Sequence, residues 1–369
     1  MELLAGRATA SATAAFAGDA RRQGKVHPEH FRRAPDDLTI SSIGLGTYLG
    51  PADARTDRAV EEAVVIAVTS GRVNLIDTAI NYRGQRAERA IGRALQRVVG
   101  RQGGNRAALV IATKAGYLAP DAEAEIDASA WIERELIAPG HLDPASIVDG
   151  SHAMGPAYLA DQFERSRTNL GLAHLDVVYL HNAVEAQQPT IGPAALDERM
   201  GAAFEQFERW RRAGTLGAYG LATWDALRVP PSDPRHASLE RLVGLARSAG
   251  GDLHGFRYVQ LPFNLAMPEA GFADTQRVAG ERCTPFEAAR KLGVACVTSV
   301  PLLQGRLARP RDGVRTGLTP AQDALQFARS APGALAALVG QKTPDHLAED
   351  LAVAGMAPWP AADVAARLS

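Results

Sequence analysis

One repeated unit constrains the fold of this chain more than any other feature of its sequence. The unit is a short run of apolar and β-branched residues, a loop, and then a longer amphipathic stretch, and it recurs eight times. Near-continuous apolar runs are typical of strands buried on both faces, as in a parallel sheet. The eight predicted strands are residues 40–50, 73–79, 109–116, 176–183, 218–224, 256–264, 293–300 and 336–340.

Helical patterns follow these strands, for example at residues 57–70, 86–99, 157–170 and 199–213. Three of them are followed by a glycine suited to the left-handed residue that ends a helix: Gly71, Gly171 and Gly214. Eight alternations predict the α/β class and a (β/α)₈ TIM barrel, which accommodates 369 residues as one unit. The alternative is a doubly wound open sheet. No GxGxxG motif follows the first strand, so the barrel is favoured.

The bulk composition narrows the class of protein. The formal net charge is -1, so neither a nucleic-acid nor a membrane partner is indicated. Cys283 and Cys296 lack metal-ligand spacing, and we expect reduced thiols in a cytoplasmic protein with no metal site. Residues 1–37 have no continuous apolar segment and are predicted to be an N-terminal extension rather than a signal peptide. Residues 38–369 are predicted to form the barrel, and the sequence leaves the oligomeric state open.

One connection is too long for a simple barrel loop. About sixty residues separate the third and fourth strands, and only 157–171 of them have the pattern of a barrel helix. Loops of this length are usually lids or binding loops. Because the segment 117–156 follows the end of a strand, we expect an insertion that lies on the catalytic face and closes over a substrate.

Four polar residues fall at or just after predicted strand ends, where barrel enzymes build their sites. They are Asp77, Tyr82, Lys114 and His181. Asp77 is expected to keep Lys114 charged, and Lys114 to lower the pKa of Tyr82 from about 10, which makes the phenol a usable proton donor. His181 can donate a hydrogen bond to a carbonyl oxygen and orient it. A carbonyl polarised in this way is ready to accept hydride.

With these residues in place, the chain resembles the aldo/keto reductase superfamily from about residue 38 to 356. The matching motifs are IGLGTY, NLIDTAINYRGQRAERAIGRAL, VIATKAG, RSRTNLGLAHLDVVYLHN, FEQFERWRRAGTLGAYGLATW and ALVGQKTPDHLAEDLAVA. The resemblance implies that Asp77, Tyr82, Lys114 and His181 are the catalytic residues. It also implies an oxidoreductase that binds NADPH across the mouth of the barrel, transfers hydride to an aldehyde or ketone, and takes the proton from Tyr82.

The resemblance further implies a set of cofactor-binding positions. They are Gly46, Thr47, Tyr48, Thr223, Gln260, Leu302, Gln304, Arg306, Lys342, Thr343, His346 and Asp350. Lys342 and Thr343 precede a helix N-terminus, which favours an anion such as the 2′-phosphate of the cofactor; Thr343 alone is equally an ordinary helix cap. Four positions depart from the family pattern: Ala222 and Thr223 replace Ser and Asn, Ser299 replaces a stacking Tyr, and Asp350 replaces Asn.

These departures keep other classes of function open. One is a nucleotide-sensing or scaffold barrel without reductase turnover, and another is an enzyme that uses the barrel site for a net non-redox step. The predicted substrate is a small carbonyl compound without strong charge, because apolar and aromatic groups dominate the expected mouth. The residues expected there, besides Tyr48, are Trp131, His152, Met154, Trp224, Phe263 and Asn264.

Overall fold

In the computed structural model, which describes residues 3–309 and 317–368, eight parallel strands close into a barrel. Each strand pairs with its neighbours in the sequence, and the last pairs with the first. The (β/α)₈ prediction is therefore confirmed and the open sheet is excluded. The strands are β1 (Ile43–Gly46), β2 (Leu75–Asp77), β3 (Val110–Ala115), β4 (Leu175–His181), β5 (Leu216–Ala222), β6 (Phe256–Pro262), β7 (Ala295–Ser299) and β8 (Ala334–Gly340).

A helix follows every strand. The barrel helices are α1 (Ala54–Thr69), α2 (Arg86–Leu95), α3 (Pro156–Leu170), α4 (Ala183–Arg212), α5 (Leu239–Gly250), α6 (Pro285–Lys291), α7 (Pro320–Ser330) and α8 (Pro344–Ala352). The sequence pattern located only the second half of α4. Its first half contains Pro189, and Gly192 interrupts the helical backbone between the halves. Proline and glycine disfavour a helix interior, which explains why the pattern is weak there.

The shorter elements lie outside this repeat. They are the helices Ala10–Arg22, Pro28–His30, Gln96–Arg101, Arg106–Ala108, Ala128–Ile132, Glu133–Ile137, Pro144–Ser146, Glu269–Phe272, Val353–Gly355 and Ala361–Ala366, and two hairpins, Phe31–Arg33 with Thr39–Ser41 and Gln276–Val278 with Glu281–Cys283. Among residues 3–309 and 317–368, no helix has both the length and the apolar character needed to cross a membrane.

The N-terminal extension is a folded part of the protein and closes the N-terminal end of the barrel. Ala34 of this extension packs, together with the adjoining Leu38 and Ile40, into the apolar cluster formed by the inward-facing side chains of the strands. Within that cluster, the hydroxyl of Tyr258 donates to the carboxylate of Asp36 at 2.7 Å. Because this end is plugged, access to the barrel interior is left to the opposite end, where the strands finish.

The insertion between β3 and α3 has an apolar cluster of its own. Trp131, Leu136 and Leu142 pack together with Tyr158 of α3. The guanidinium of Arg165, also on α3, lies 5.0 Å from the ring of Trp131. The insertion is thus folded against the outside of the barrel along α3. Its aromatic and aliphatic residues serve that packing, which the sequence pattern did not distinguish from a mobile lid.

Candidate active site

A cavity of about 680 Å³ opens at the C-terminal end of the barrel. It extends from Tyr82 and His181 on one side to His346 and Asp350 on the other. Its lining is formed by Gly46, Thr47, Tyr48, Leu49, Asp77, Asn81, Tyr82, Tyr117, His181, Asn182, Ala222, Thr223, Trp224, Gln260, Ser299, Val300, Pro301, Leu302, Gln304, Gly305, Ala308, Ala321, Leu338, Val339, Gly340, Lys342, His346, Glu349 and Asp350. An elongated cavity of this kind suits an extended small molecule with a reacting group at one end.

The structure brings together the four residues predicted to be catalytic. Asp77 and His181 are the last residues of β2 and β4, and Lys114 is the second-last residue of β3. The nitrogen Nζ of Lys114 lies 2.5 Å from Oδ1 of Asp77 and 4.8 Å from the ring centre of Tyr82. The rings of Tyr82 and His181 meet edge to face with their centres 5.7 Å apart. Parallel strands that end at one rim produce this convergence.

Asp77 lines the cavity, whereas Lys114, its partner in the ion pair, lies behind the cavity wall. Lys114 is 1 % exposed, and its ammonium also donates to the backbone carbonyl of Thr78 at 2.7 Å. Gln260 donates from Nε2 to the second carboxylate oxygen of Asp77 at 2.7 Å. Burial alone would lower the pKa of Lys114, but Asp77 and Tyr82 outweigh it, so the pKa is raised and the ammonium stays charged. Burial raises the pKa of Asp77, and Lys114 and Gln260 oppose that effect.

The environment of Tyr82 corrects one expectation from the sequence. Burial raises the pKa of Tyr82 above its ordinary 10.0, and the nearby charge of Lys114 opposes this effect without reversing it. The predicted lowering of this pKa is therefore wrong, because desolvation of a phenolate exceeds the attraction of an ammonium that is itself engaged by Asp77. Tyr82 consequently carries its proton at neutral pH, as a proton donor must.

His181 is held neutral. Burial lowers the pKa of His181 well below 6.5, and the positive charge of Lys114 lowers it further. Among the described residues, its Nδ1 has no hydrogen-bond partner. A neutral imidazole beside the phenol can donate one hydrogen bond to an oxygen in the cavity without competing for the proton of Tyr82.

His152, predicted to contact substrate, lies behind His181 and does not line the cavity. It is fully buried, and its Nε2 lies 3.0 Å from the backbone oxygen of His181. Burial lowers the pKa of His152 from 6.5 to about 4. Its imidazole is therefore neutral, and because a carbonyl oxygen only accepts, the proton is on Nε2.

We expect the protein to lose stability as the pH falls from 6.5 towards 4, in part through His152. In this window the unfolded chain binds a proton at this residue that the folded chain does not. The contribution is fully present above pH 6.5, decreases as the pH falls, and amounts to about 3 kcal/mol in total. Urea unfolding at pH 7 and pH 5 measures it. The His152→Gln variant should depend less on pH than the unaltered protein, and equal dependence would contradict the expectation.

Gln260 and Thr223, two of the predicted cofactor-binding residues, line the cavity, but their side chains form hydrogen bonds within the protein. The Nε2 of Gln260 is bound to Asp77. The hydroxyl of Thr223 donates to Oε1 of Glu185, which also accepts from the backbone nitrogens of Trp224, Asp225 and Ala226. The hydroxyl proton of Thr223 is therefore already donated to the carboxylate of Glu185. Glu185 was not identified from the sequence, because it lies one turn into α4 rather than at a strand end.

The far end of the cavity contains the residues predicted to bind the adenosine part of a cofactor. Lys342 and His346 line it, whereas Thr343 caps α8 by accepting from the backbone nitrogen of His346 at 3.3 Å. Burial and the nearby charge of Arg83 both lower the pKa of Lys342. A half-buried cation that faces another cation is stabilised by an added anion, so this end of the cavity suits a phosphate.

Asp350 at this end is buried and only partly paired. Gln341 donates from Nε2 to its Oδ2 at 3.2 Å, and burial raises the pKa of Asp350 from 3.8 to about 7. Among the residues that the structure describes, Oδ1 of Asp350 and Oε1 of Gln341 have no hydrogen-bond partner. Because Asp350 lines the cavity and Gln341 does not, the unpaired Oδ1 of Asp350 indicates a place in the cavity for a group that carries N–H or O–H.

The loop after β7 forms one edge of the cavity in a strained backbone conformation. Leu302 and Gln304 line the cavity, whereas Arg306 is exposed and does not. Val300, Leu303 and Gln304 have φ angles of 48°, 46° and 55°. A β-branched residue such as valine rarely adopts this region, and such strain concentrates at ligand sites. Leu302 and Gln304 of this loop, rather than Arg306, therefore border the cavity.

Of the side chains expected at the substrate mouth, Tyr48 and Trp224 are there, 55 % and 40 % exposed. Trp131, Met154 and Phe263 are buried in apolar clusters, and Asn264 is fully buried and donates to the backbone oxygen of Val300 at 3.0 Å. They support the walls without reaching the cavity.

Four lining residues near Tyr82 were missed by the sequence analysis: Leu49, Asn81, Tyr117 and Asn182. Each of them follows the end of a strand within a few residues, and this position in the sequence could have identified them as cavity residues. Of residues 117–156, only Tyr117 lines the cavity, so the insertion does not cover the site as expected.

The match to known proteins agrees with this fold and site. The aldo/keto reductase family model matches residues 42–313, and the chain belongs to that family. Membership supports activity as an oxidoreductase on carbonyl compounds. No curated protein matches the sequence.

Solved structures share the fold at low sequence identity. The aldo-keto reductase AKR11C1 from Bacillus halodurans, in its holo form, superposes with a TM-score of 0.61 at 17% identity over 92% of this chain and 94% of that one. An aldo/keto reductase from Klebsiella pneumoniae in complex with NADP and acetate gives a TM-score of 0.56 at 16% identity over 92% and 94%. At these low sequence identities, the structural similarity supports the barrel fold but does not support a particular substrate or cofactor.

Proposed function

We propose that this protein is an NADPH-dependent reductase of aldehydes or ketones, with Tyr82 as the proton donor. The observation that carries the proposal is the assembly of Asp77, Lys114, Tyr82 and His181 at one end of an elongated cavity. A scaffold or sensing barrel has no need for a buried ion pair directed at a phenol and a neutral imidazole. Such buried charges are costly to maintain, which favours a catalytic role.

The chain's own residues have distinct parts in this reaction. The bound cofactor supplies hydride. Tyr82 gives its phenolic proton to the substrate oxygen, and Lys114 stabilises the resulting phenolate by its charge. Asp77 keeps Lys114 charged and in place, and His181 orients the substrate oxygen by donating a hydrogen bond. Tyr48 and Trp224 provide apolar surface at the mouth.

The residues at the two ends of the cavity fit NADPH. Lys342 and the N-terminus of α8 suit its 2′-phosphate, and the free acceptor Oδ1 of Asp350 suits the amino group of its adenine. Gln260 and Thr223 border the end where the nicotinamide would lie beside Tyr82. In this placement the reactive ring of the cofactor would lie at the same end of the cavity as Tyr82, the proposed proton donor.

Fluorescence titration with NADPH, followed by a panel of aldehydes and ketones, tests the proposal. We expect saturable NADPH binding and oxidation of NADPH that depends on the added carbonyl compound. The Tyr82→Phe variant serves as the inactive control. Binding without turnover of any carbonyl compound would support a sensing role instead, and absence of NADPH binding would overturn the proposed function.

We expect NADPH to bind more tightly than NADH, and Lys342→Ala to lose most of that difference. Charge-assisted contacts from Lys342 and the α8 N-terminus to one phosphate are worth about 2–4 kcal/mol together. Dissociation constants for both cofactors, with both proteins, measure the effect. Arg290→Ala, which removes an exposed cation that does not line the cavity, is the matched control. Equal affinities of the unaltered protein for the two cofactors would exclude this role for Lys342.

A further inference from the structure

The insertion contributes a buried histidine to the rear of the active site. The loop that carries His152 bonds to the end of β3: Leu118 donates to the oxygen of Ser151 at 2.8 Å, and Ala153 donates to the oxygen of Gly116 at 2.9 Å. Gly116, with φ of +133°, leaves room for the imidazole, because a Cβ there would lie 2.5 Å from Nε2 of His152. The backbone is therefore shaped around this side chain.

The imidazole of His152 bonds on both sides. Its Nε2 donates to the backbone oxygen of His181 at 3.0 Å, and its Nδ1 accepts from Nε2 of Gln187 at 2.9 Å. The amide oxygen of Gln187 in turn accepts from the guanidinium of Arg199 at 3.0 Å. Arg199 also donates to the backbone oxygen of Ser146 in the insertion at 3.2 Å. Both ring nitrogens of His152 are thus specified by partners, and its orientation has no freedom.

The carbonyl that His152 binds lies at a critical point of the backbone. His181 ends β4, and Asn182, which follows with φ of 49°, is the N-cap residue that precedes α4. At this sharp turn the carbonyl points out of the strand ladder and needs a partner, since a buried unpaired carbonyl is costly. Both His181 and Asn182 line the cavity, so a rotation of this peptide would move two side chains of the site.

Tyr117 adds a second constraint on the same element. Its ring meets His152 and His181 edge to face, with ring centres 5.1 Å and 5.0 Å apart. The backbone oxygen of Tyr117 accepts from Tyr158 and Gln162 of α3, each at 2.8 Å. The imidazole of His181 is therefore held on one side by a ring that the insertion and α3 jointly fix.

We propose that His152 is a positioning residue for His181, and that the insertion serves catalysis by holding this histidine in place from behind rather than by closing over the substrate. The inference rests on the proposed function, since it assigns His181 a role in carbonyl reduction. His152 touches neither the cavity nor any reacting atom. It acts through the peptide that joins His181 to Asn182. Placement errors of about 1 Å in such groups can reduce rates about 100-fold.

Two variants of His152 test the proposal. His152→Leu fills the same space with an apolar side chain and removes both hydrogen bonds of the imidazole. His152→Gln retains a donor for the His181 carbonyl and an acceptor for Gln187. For a carbonyl compound that the unaltered enzyme reduces, we expect His152→Leu to lower kcat about 10–100-fold and His152→Gln to restore it to within about 3-fold. Titration should show NADPH affinity within about 2-fold of the unaltered protein in both, since the end of the cavity that contains Lys342 and Asp350, where the 2′-phosphate and the adenine would bind, is remote from His152.

Leu142→Ala provides the control for loss of insertion stability. Leu142 is buried in the insertion's own cluster and bonds to neither histidine. We expect Leu142→Ala to lower Tm, as His152→Leu does, but to leave kcat within about 2-fold, since it lies outside the site. If Leu142→Ala lowers kcat as much as His152→Leu for the same loss of Tm, or if His152→Gln does not restore it, the positioning role is overturned.

Nitrogen-15 NMR of the unaltered protein gives a readout that does not depend on turnover or on any variant folding. We expect the imidazole of His152, assigned through its connectivity to the backbone amide of the same residue, to have a protonated Nε2 and an unprotonated Nδ1 and not to titrate between pH 7 and pH 5. Titration of that residue near its ordinary pKa would overturn the inference. Failure of the unaltered protein to reduce any carbonyl compound would instead overturn the proposed function and leave the NMR result standing.

Discussion

Replacing Tyr82 with phenylalanine is expected to slow carbonyl reduction by at least about 10²–10⁴-fold, the usual contribution of a positioned general acid. The change removes a single oxygen at the cavity wall. Ring contacts with Tyr48 and His181, with centres 5.1 Å and 5.7 Å away, remain available to phenylalanine. NADPH affinity should therefore stay within a few-fold. Steady-state rates for the best carbonyl compound, with a fluorescence titration of NADPH, measure both effects.

Lys114→Met is the companion variant to Tyr82→Phe. Because the ammonium acts only by favouring proton release from the phenol, the double variant should be scarcely slower than either single one. Multiplication of the two losses would mean that Lys114 acts independently of Tyr82. Turnover by Tyr82→Phe at the unaltered rate would remove Tyr82 from the catalytic assignment altogether.

The barrel was predictable because its strands are buried on both faces. In the run 176–183, residues 177–180 are Val, Val, Tyr and Leu, and a continuous run of this kind is typical of a strand buried on both faces. Their ends were less predictable. The first predicted strand covers 40–50, whereas β1 is Ile43–Gly46. A barrel strand ends where the neighbouring strand no longer pairs with it. The last residue of a strand therefore depends on the three-dimensional fold rather than on residue type.

The placement of the candidate catalytic residues followed from one rule, that strand ends meet at one rim. The rule located Asp77 and Lys114 without any knowledge of their partners. It could not show that the side-chain amide of Gln260 donates a hydrogen bond to Asp77, because that bond joins residues 183 positions apart. It likewise could not give the pKa of Tyr82, since the direction depends on how far burial outweighs the charge of Lys114.

The insertion shows where loop length misleads. A long segment after a strand end predicts a lid, but the spacing of Trp131, Leu136 and Leu142 allows them to form a core of their own against α3. No local pattern separates a residue that faces a substrate from one that faces a neighbouring helix. His152 and Trp131 were assigned to the mouth because of their residue types, and three-dimensional packing places both behind it.

The buried ion pair leads to the largest expected change in stability. Asp77→Asn should lower the free energy of unfolding by about 3–5 kcal/mol, because it leaves the ammonium of Lys114 buried without a counter-charge. The asparagine amide also presents one nitrogen where Asp77 has two acceptors, for Lys114 at 2.5 Å and Gln260 at 2.7 Å. One of those donors then faces another donor.

The double variant Asp77→Asn/Lys114→Met should recover part of that loss, since it removes the stranded charge together with its partner and fills the space with an apolar side chain. Urea unfolding of the unaltered protein, Asp77→Asn, Lys114→Met and the double variant measures the differences through their midpoints and slopes. Asp37→Asn is the matched control, because Asp37 pairs with Arg33 on the surface with both side chains more than half exposed, and its loss should cost less than about 1 kcal/mol. Two outcomes would contradict a stabilising Asp77–Lys114 pair. One is a loss of unfolding free energy in Asp77→Asn no larger than in Asp37→Asn. The other is a loss in the double variant equal to the sum of the losses in its two single variants.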